Sequence, residues 1–269
     1  MQGLLILFML LLAPAVTWAA DVPCSGTDDT AAVQAALDDG GRVRILGTCL
    51  TTQPIVIGRD ATWLEGGVLW TPGVQIRNVR RAGLRDLEIR GTTVGIHILQ
   101  SILITVENVY VDSLSHGLRA DSTAGLWVRG SHFNGHSIPG SYGVILGASP
   151  EGFEAVWITD TLVETHYGGM RIGGSGNVRN IWLTNFTADR VFVGLMVAPW
   201  ATASVSNLRI SNCWVSDAAY PIYLSQVETS GRLDGIDVRG CTFVDTARDI
   251  TTAGVVQYTA EGLHRDSAH

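Results

Sequence analysis

The chain has 269 residues, 46% of them hydrophobic, and a net charge of −7 from 25 acidic and 18 basic side chains. Every basic residue is arginine, which excludes a lysine base, a lysine Schiff base and a phosphate-gripping lysine. The acidic balance argues against a nucleic-acid partner, which needs a basic stripe.

Residues 1–20 read as a secretory signal peptide. Leu4 to Ala13 is an uncharged apolar run, followed by small residues and a cleavage point after Ala19 or Ala20. An uncleaved anchor is the alternative, and the only membrane contact the sequence offers, although the run is short of the ~20 residues that span a bilayer. Export makes the protein secreted or periplasmic and places Cys24, Cys49, Cys213 and Cys241 in an oxidising compartment.

Residues 21–42 form a cap. Within SGTDDTAAVQAALDDGG, Thr27, Asp28 or Asp29 caps a short helix over Thr30–Asp38, and Gly40–Gly41 stop it. Ala32, Val33, Ala36 and Leu37 form its apolar side. A first strand starts at Val43.

From there the sequence repeats. Short segments begin at Gly95, Gly117, Gly143, Gly169, Gly194, Pro221 and Asp249, separated by 22, 26, 26, 25, 27 and 28 residues. A second series begins at Leu87, Leu126, Val156, Ile181, Leu208 and Ile236. Both alternate apolar and polar with period two, as strands do, and coils of this length bury their faces only by stacking. Residues 43–258 are therefore expected to form an all-β, single-stranded right-handed parallel β-helix, with 259–269 as a polar tail. Asp160, Asn185, Asn212 and Gly240, with Gly91 and Gly130 earlier, suit tight corners after the second series. Cys213 and Cys241 occupy one position of adjacent coils, within disulfide reach, and Cys24 with Cys49 would tie the cap to the first coil.

Ser25 to about Leu46 resembles the entry segment of the pectin-lyase-like superfamily, in which DDTAAIQAAI-type helices cap β-helices of polygalacturonase-like enzymes and tailspikes. The resemblance implies the fold and a glycan partner. GMRIGGSGNVRNIWLTN from Gly169 is also similar to the GHG-containing segment of polygalacturonases. Where that family carries its catalytic aspartates and histidine, this chain has His116, Tyr142 and Gly168, with His166 displaced by two. The lysine-containing RIK motif is absent. The polygalacturonase mechanism is therefore not carried over.

Three ladders carry the candidate chemistry. Along the first series the outward residues are His97, Arg119, Ile145, Arg171, Met196 and Tyr223, flanked by His116, Asp121 and Tyr142. Arginine offers carboxylates a planar fork, so this face suits an acidic sugar. In the preceding turn, Asp112, Glu164, Asp189, Asp217 and Asp245 form an acidic ladder. Glu164 and Asp189 are its acid/base candidates, with His166 and Arg171 beside them, and calcium is the cation such a cluster suits. Trp127, Trp157 and Trp182 form a strip for a sugar, a covering loop such as 134–141, or a second copy of the chain. CxxC-type metal spacings are absent. The functional expectation is a secreted, glycan-interacting β-helix, a hydrolase or lyase of acidic polysaccharide. The rival is a non-catalytic adhesin-like or tailspike-like protein.

Overall fold

A computed structural model describes residues 20–147, 152–200, 202–226, 231–254 and 257–266. Of the signal peptide expected over residues 1–20, residues 1–19 lie outside them. The described chain winds as a parallel β-solenoid of about nine turns with one short helix.

Each full coil contributes to three parallel sheets, here named A, B and C. One coil places Ala124–Arg129 in A, His132–Asn134 in B and Tyr142–Gly147 in C. In the next two coils the A and B strands run on around the corner as Phe153–Glu164 and Val178–Asp189. Gly168–Ile172 and Val193–Val197 follow in C. Register holds from coil to coil. Leu126 pairs with Val156, Ile181 and Leu208 in turn, and Leu118 leads to Val144, Met170 and Leu195. These inward residues are buried. Burying one such side chain stabilises by about 1.5–3 kcal/mol, and a lone coil has nothing to bury it against.

The corner between A and B uses left-handed residues, as expected. Asp160, Asn185 and Asn212 have φ of 50°, 52° and 53°. Their side chains bond along the ladder, Asn185 Nδ2 donating to Asp160 at 2.7 Å and Asn108 to Asp86 at 3.0 Å. Gly91 does not belong to this ladder; it follows a sheet B strand and lies against the Trp70 ring.

The glycine that opens five of the repeat segments has a packing cause. Gly95, Gly117, Gly143, Gly169 and Gly194 stack in register on sheet C. The inward side chains of sheet B fill the space their Cβ atoms would need. A Cβ on Gly143 would lie 2.1 Å from a Val163 methyl, and one on Gly95 2.2 Å from a Val111 methyl. Interiors packed to crystal-like density leave no slack at such a corner.

Three expectations are corrected. The acidic "turn" is sheet B itself: Glu164 and Asp189 close strands, Asp112 lies within Tyr110–Asp121, and Asp217 and Asp245 lie one residue beyond strands with φ of 52° and 50°. The Leu87 segment belongs to sheet B, where Glu88 pairs with Val68 and Tyr110. Thr105 precedes Trp127 on sheet A instead, because the early coils are shorter. Residues 259–266 are not a tail, since Tyr258–Glu261 and His264–Asp266 add strands to A and B.

Helix α1 spans Thr30–Asp39 and buries Val33 and Leu37 over the first coil. Asp28, not the N-cap Asp29, bonds the first turn, its Oδ1 accepting the Thr30 N–H at 3.0 Å. Asp29 instead accepts from the Ser25 and Leu50 amides at 2.8 and 3.2 Å, tying the cap to the coil below. Both expected disulfides are present, with Cα–Cα separations of 4.7 Å for Cys24–Cys49 and 4.4 Å for Cys213–Cys241. Such bridges contribute on the order of 2–4 kcal/mol each.

Candidate functional site

Sheet C presents its outward residues in one row: Gln75, His97, Arg119, Ile145, Arg171, Met196 and Tyr223. His116, Tyr142 and Gly168 pair in a second row at the edge facing sheet B. The strand pleat aims alternate side chains outward, so residues far apart in sequence meet at inter-strand spacing.

Asp121 organises the upper part of this face. Its Oδ2 lies 2.9 Å from His97 Nε2 and accepts the Arg119 Nε–H at 2.8 Å. Burial pushes the Asp121 carboxyl up, but the bonds to His97 and Arg119 outweigh it and hold the pKa below the usual value. The carboxylate sits over Gly147, where a Cβ would come within 2.6 Å of Oδ1. Next to it, half-buried His116 accepts the Tyr142 amide N–H on Nδ1 at 3.2 Å. Burial, then Arg119 and Arg171, lower its pKa. His116 is thus a neutral imidazole at neutral pH, with its proton on the other nitrogen.

Arg171 occupies the middle of the face. Its guanidinium lies 4.9 Å from the Trp200 ring centroid and 6.0 Å from that of Tyr142. Tyr142 is itself buried, its ring over Gly168 and its hydroxyl donating to Met196 Sδ at 3.2 Å. It therefore supports Arg171 from beneath rather than offering itself to a ligand. Arg171 has no carboxylate partner among the described residues.

The acidic ladder is differently placed. Glu164 and Asp189 do pair in register, but Arg190 lies between them, 2.5 Å from Glu164 Oε2 and 3.2 Å from Asp189 Oδ2. Glu164 also meets His132 Nε2 at 2.8 Å, and Asp189 accepts the Ser216 hydroxyl. The one close group of three metal-type side chains among the described residues is Cys24, Asp29 and Cys49, whose sulfurs are joined. His166 is 1% exposed, packed on Gly135 beneath the 135–141 loop. Neither of its ring nitrogens has a hydrogen-bond partner. Burial, then His116, bring its pKa down to about 4, opposed by the Ser115 carbonyl and Asp112. Glu164 and Asp189 end sheet B strands, and His166 precedes the sheet C strand Gly168–Ile172 that carries Arg171.

The tryptophan strip is in register on sheet A, with ring centroids 4.9 and 5.0 Å apart and planes within 3° and 7° of parallel. Parallel stacking covers both faces of Trp157, so a sugar, which packs on a ring face, finds edges instead. The 134–141 segment does not cover it either, since that loop bonds to Glu164 and Thr165 on the B–C side.

No protein-family model matches the chain, and no curated protein matches it in sequence. Solved structures do match its shape. Endo-xylogalacturonan hydrolase from Aspergillus tubingensis aligns with a TM-score of 0.69 at 14% identity, over 93% of each chain. The chain has the parallel β-helix fold of that structure. An exopolygalacturonase from Thermotoga maritima shares this β-helix at a TM-score of 0.63 and 11% identity, over 92% of each chain. PfbA, a surface adhesin of Streptococcus pneumoniae, does so at 0.60 and 12%, over 91% of this chain and 83% of its own. At these identities the likeness concerns the fold alone, because one β-helix hosts unrelated activities.

Within the β-helix, sequence reasoning missed Arg190, His132 and Trp200, and a set of aromatic residues at the B–C corner. Tyr167 and Phe192 are 25 residues apart, and Phe192 and Tyr220 28 apart. Those are coil lengths, so the signal was available, one or two positions before each repeat segment.

Proposed function

We propose that this β-helix binds an acidic, uronate-type polysaccharide along the outward face of sheet C. The observation that carries the reading is Arg171, laid on Trp200 and Tyr142 and free of any carboxylate among the described residues. Several other arginines are tied down, as Arg42 is to Glu65, Arg85 to Glu107 and Arg190 to Glu164. A guanidinium held by rings keeps its donor fork for an incoming carboxylate. Arg119 and His97 lie two and three coils before it in the same row, and Tyr223 two coils on. The two disulfides support work outside the reducing cytosol, in a secreted or periplasmic setting.

A binding role is favoured over hydrolysis. The outward rows through His97, His116 and Asp121 contain one carboxylate, Asp121, already shared by His97 and Arg119. Glycoside hydrolysis in its usual form needs two. Elimination from a uronate needs instead a base and a cation against the carboxylate, residue types that His97, Arg119 and Arg171 supply. The decisive experiment incubates the protein with a panel of uronate and neutral polysaccharides, scoring binding by affinity electrophoresis and cleavage by mass spectrometry. Retardation by the uronates without products is the expected result. Unsaturated products would make it a lyase, and retention by neutral glycans alone would remove the reading.

The partner we propose for the Trp127–Trp157–Trp182 edge is a second copy of the chain, because stacked indoles offer a flat apolar rim suited to protein packing. Sedimentation should show concentration-dependent dimers that Trp157→Arg abolishes. A wild-type protein that is monomeric throughout removes this part.

A further inference from the structure

The corner where sheet B turns into sheet C carries one aromatic ring per coil over three coils. Tyr167, Phe192 and Tyr220 are joined by backbone bonds, the Phe192 amide donating to the Tyr167 carbonyl at 2.9 Å and the Tyr220 amide to that of Phe192 at 3.1 Å. Their ring centroids are 5.1 and 5.5 Å apart, but the planes turn by 30° and 73°. The contrast with the tryptophan stack is physical. Parallel rings use up each other's faces, whereas tilted and edge-on rings leave faces open to a ligand. Phe192 is 46% exposed, so its ring is open to a ligand at the surface.

Both ends of this strip are cationic. At one end Tyr142 stands edge-on to Tyr167, with centroids 6.2 Å apart, and carries Arg171 6.0 Å from its own centroid; at the other, the Arg248 guanidinium lies 5.5 Å from the Tyr220 centroid. Neither has a carboxylate partner among the described residues. Nearby Glu164 and Asp189 are both taken by Arg190, so they do not cancel the two charges. Arg171 and Arg248 stand three coils apart, ~14 Å at the usual strand spacing.

We infer that this corner is an extended subsite for an anionic glycan chain lying parallel to the solenoid axis. A sugar ring packs on Phe192, and successive carboxylates reach Arg171 and Arg248. The inference rests on the functional reading above and adds the direction of the chain, its minimum length and four residues that reading does not use: Tyr167, Phe192, Tyr220 and Arg248. Charge complementarity selects the occupant. Two guanidinium groups around an aromatic centre fit a sparse polyanion with apolar sugar faces, and the overall charge of −7 disfavours the denser charge of a nucleic acid.

The test is calorimetric titration with sodium oligogalacturonides of one to six units, using wild type, Phe192→Ala and Arg248→Gln. Both side chains are exposed, so thermal melts of the variants should match wild type and exclude unfolding as a cause. Wild-type affinity should rise with chain length. In each variant the ratio of hexamer to monomer affinity should fall roughly tenfold, the scale of one lost ring or cation–π contact. Unchanged ratios in both variants, with wild type still binding, would overturn the subsite and leave the functional reading standing. A wild type that binds none of these acids removes the functional reading, and the subsite with it.

Discussion

Acidification from pH 7 to pH 4 should cost the folded protein about 3 kcal/mol through His166 alone. An exposed histidine titrates near 6.5, and in the fold this one is lowered to about 4. Between those values the unfolded chain binds a proton that the folded chain refuses. Stability is therefore unaffected above about pH 6.5, declines as pH falls toward 4, and levels off below. Each tenfold loss of proton affinity on folding corresponds to about 1.4 kcal/mol. The cause is visible in the packing: the ring is 1% exposed and faces His116 and His136, opposed by the Ser115 carbonyl and Asp112. Urea midpoints at pH 7 and pH 4 should be compared for wild type and His166→Met. Other carboxylates also titrate over this range, so the informative quantity is the difference between the two proteins. Wild type should lose about 3 kcal/mol more than the variant. Equal losses would mean that the ring finds a partner when protonated.

Gly143→Ala should destabilise by at least the ~1–3 kcal/mol typical of an overpacked core. Its added Cβ would fall 2.1 and 2.7 Å from the two Val163 methyls, and Val163 is fully buried between Phe133 and Ala188 of the neighbouring coils. A buried methyl of a β-branched residue cannot rotate away without striking something else. The double variant Gly143→Ala/Val163→Ala should recover part of the loss, since the second change removes both clashing methyls. A coupling of about 1–2 kcal/mol in the double-mutant cycle is expected from guanidinium denaturation. Strictly additive costs would show that the two residues are not competing for one space.

These glycines also show how much the sequence disclosed. Their spacing, with period-two alternation after each, was enough to derive a parallel β-helix and the register of sheets A and C. The reason a glycine starts each segment was not legible, because it depends on sheet B side chains arriving from the opposite wall. Sheet B was itself misread as a turn. Strands such as His132–Asn134 are three residues long and carry polar residues outward, which resembles turn chemistry in sequence. The candidate site was half legible. His97, Arg119, Asp121 and Arg171 were found as outward positions of recognisable strands. Arg190 was not, and it pairs with both acid/base candidates, Glu164 and Asp189. Trp200 and the corner rings sit outside the alternating segments, where period-two reasoning stops.

Recognition of carboxylates by the sheet C face through Arg171 is the central claim. The most direct measurement compares one glycan polymer in two forms, polygalacturonate and the same chain with its carboxyls reduced to alcohols, titrated into wild type and Arg171→Gln. Wild type should bind only the acid form, with an affinity that weakens as salt is added, and the variant should lose most of it. Equal binding of the acid and reduced polymers, or an unaltered affinity in Arg171→Gln, would contradict the claim.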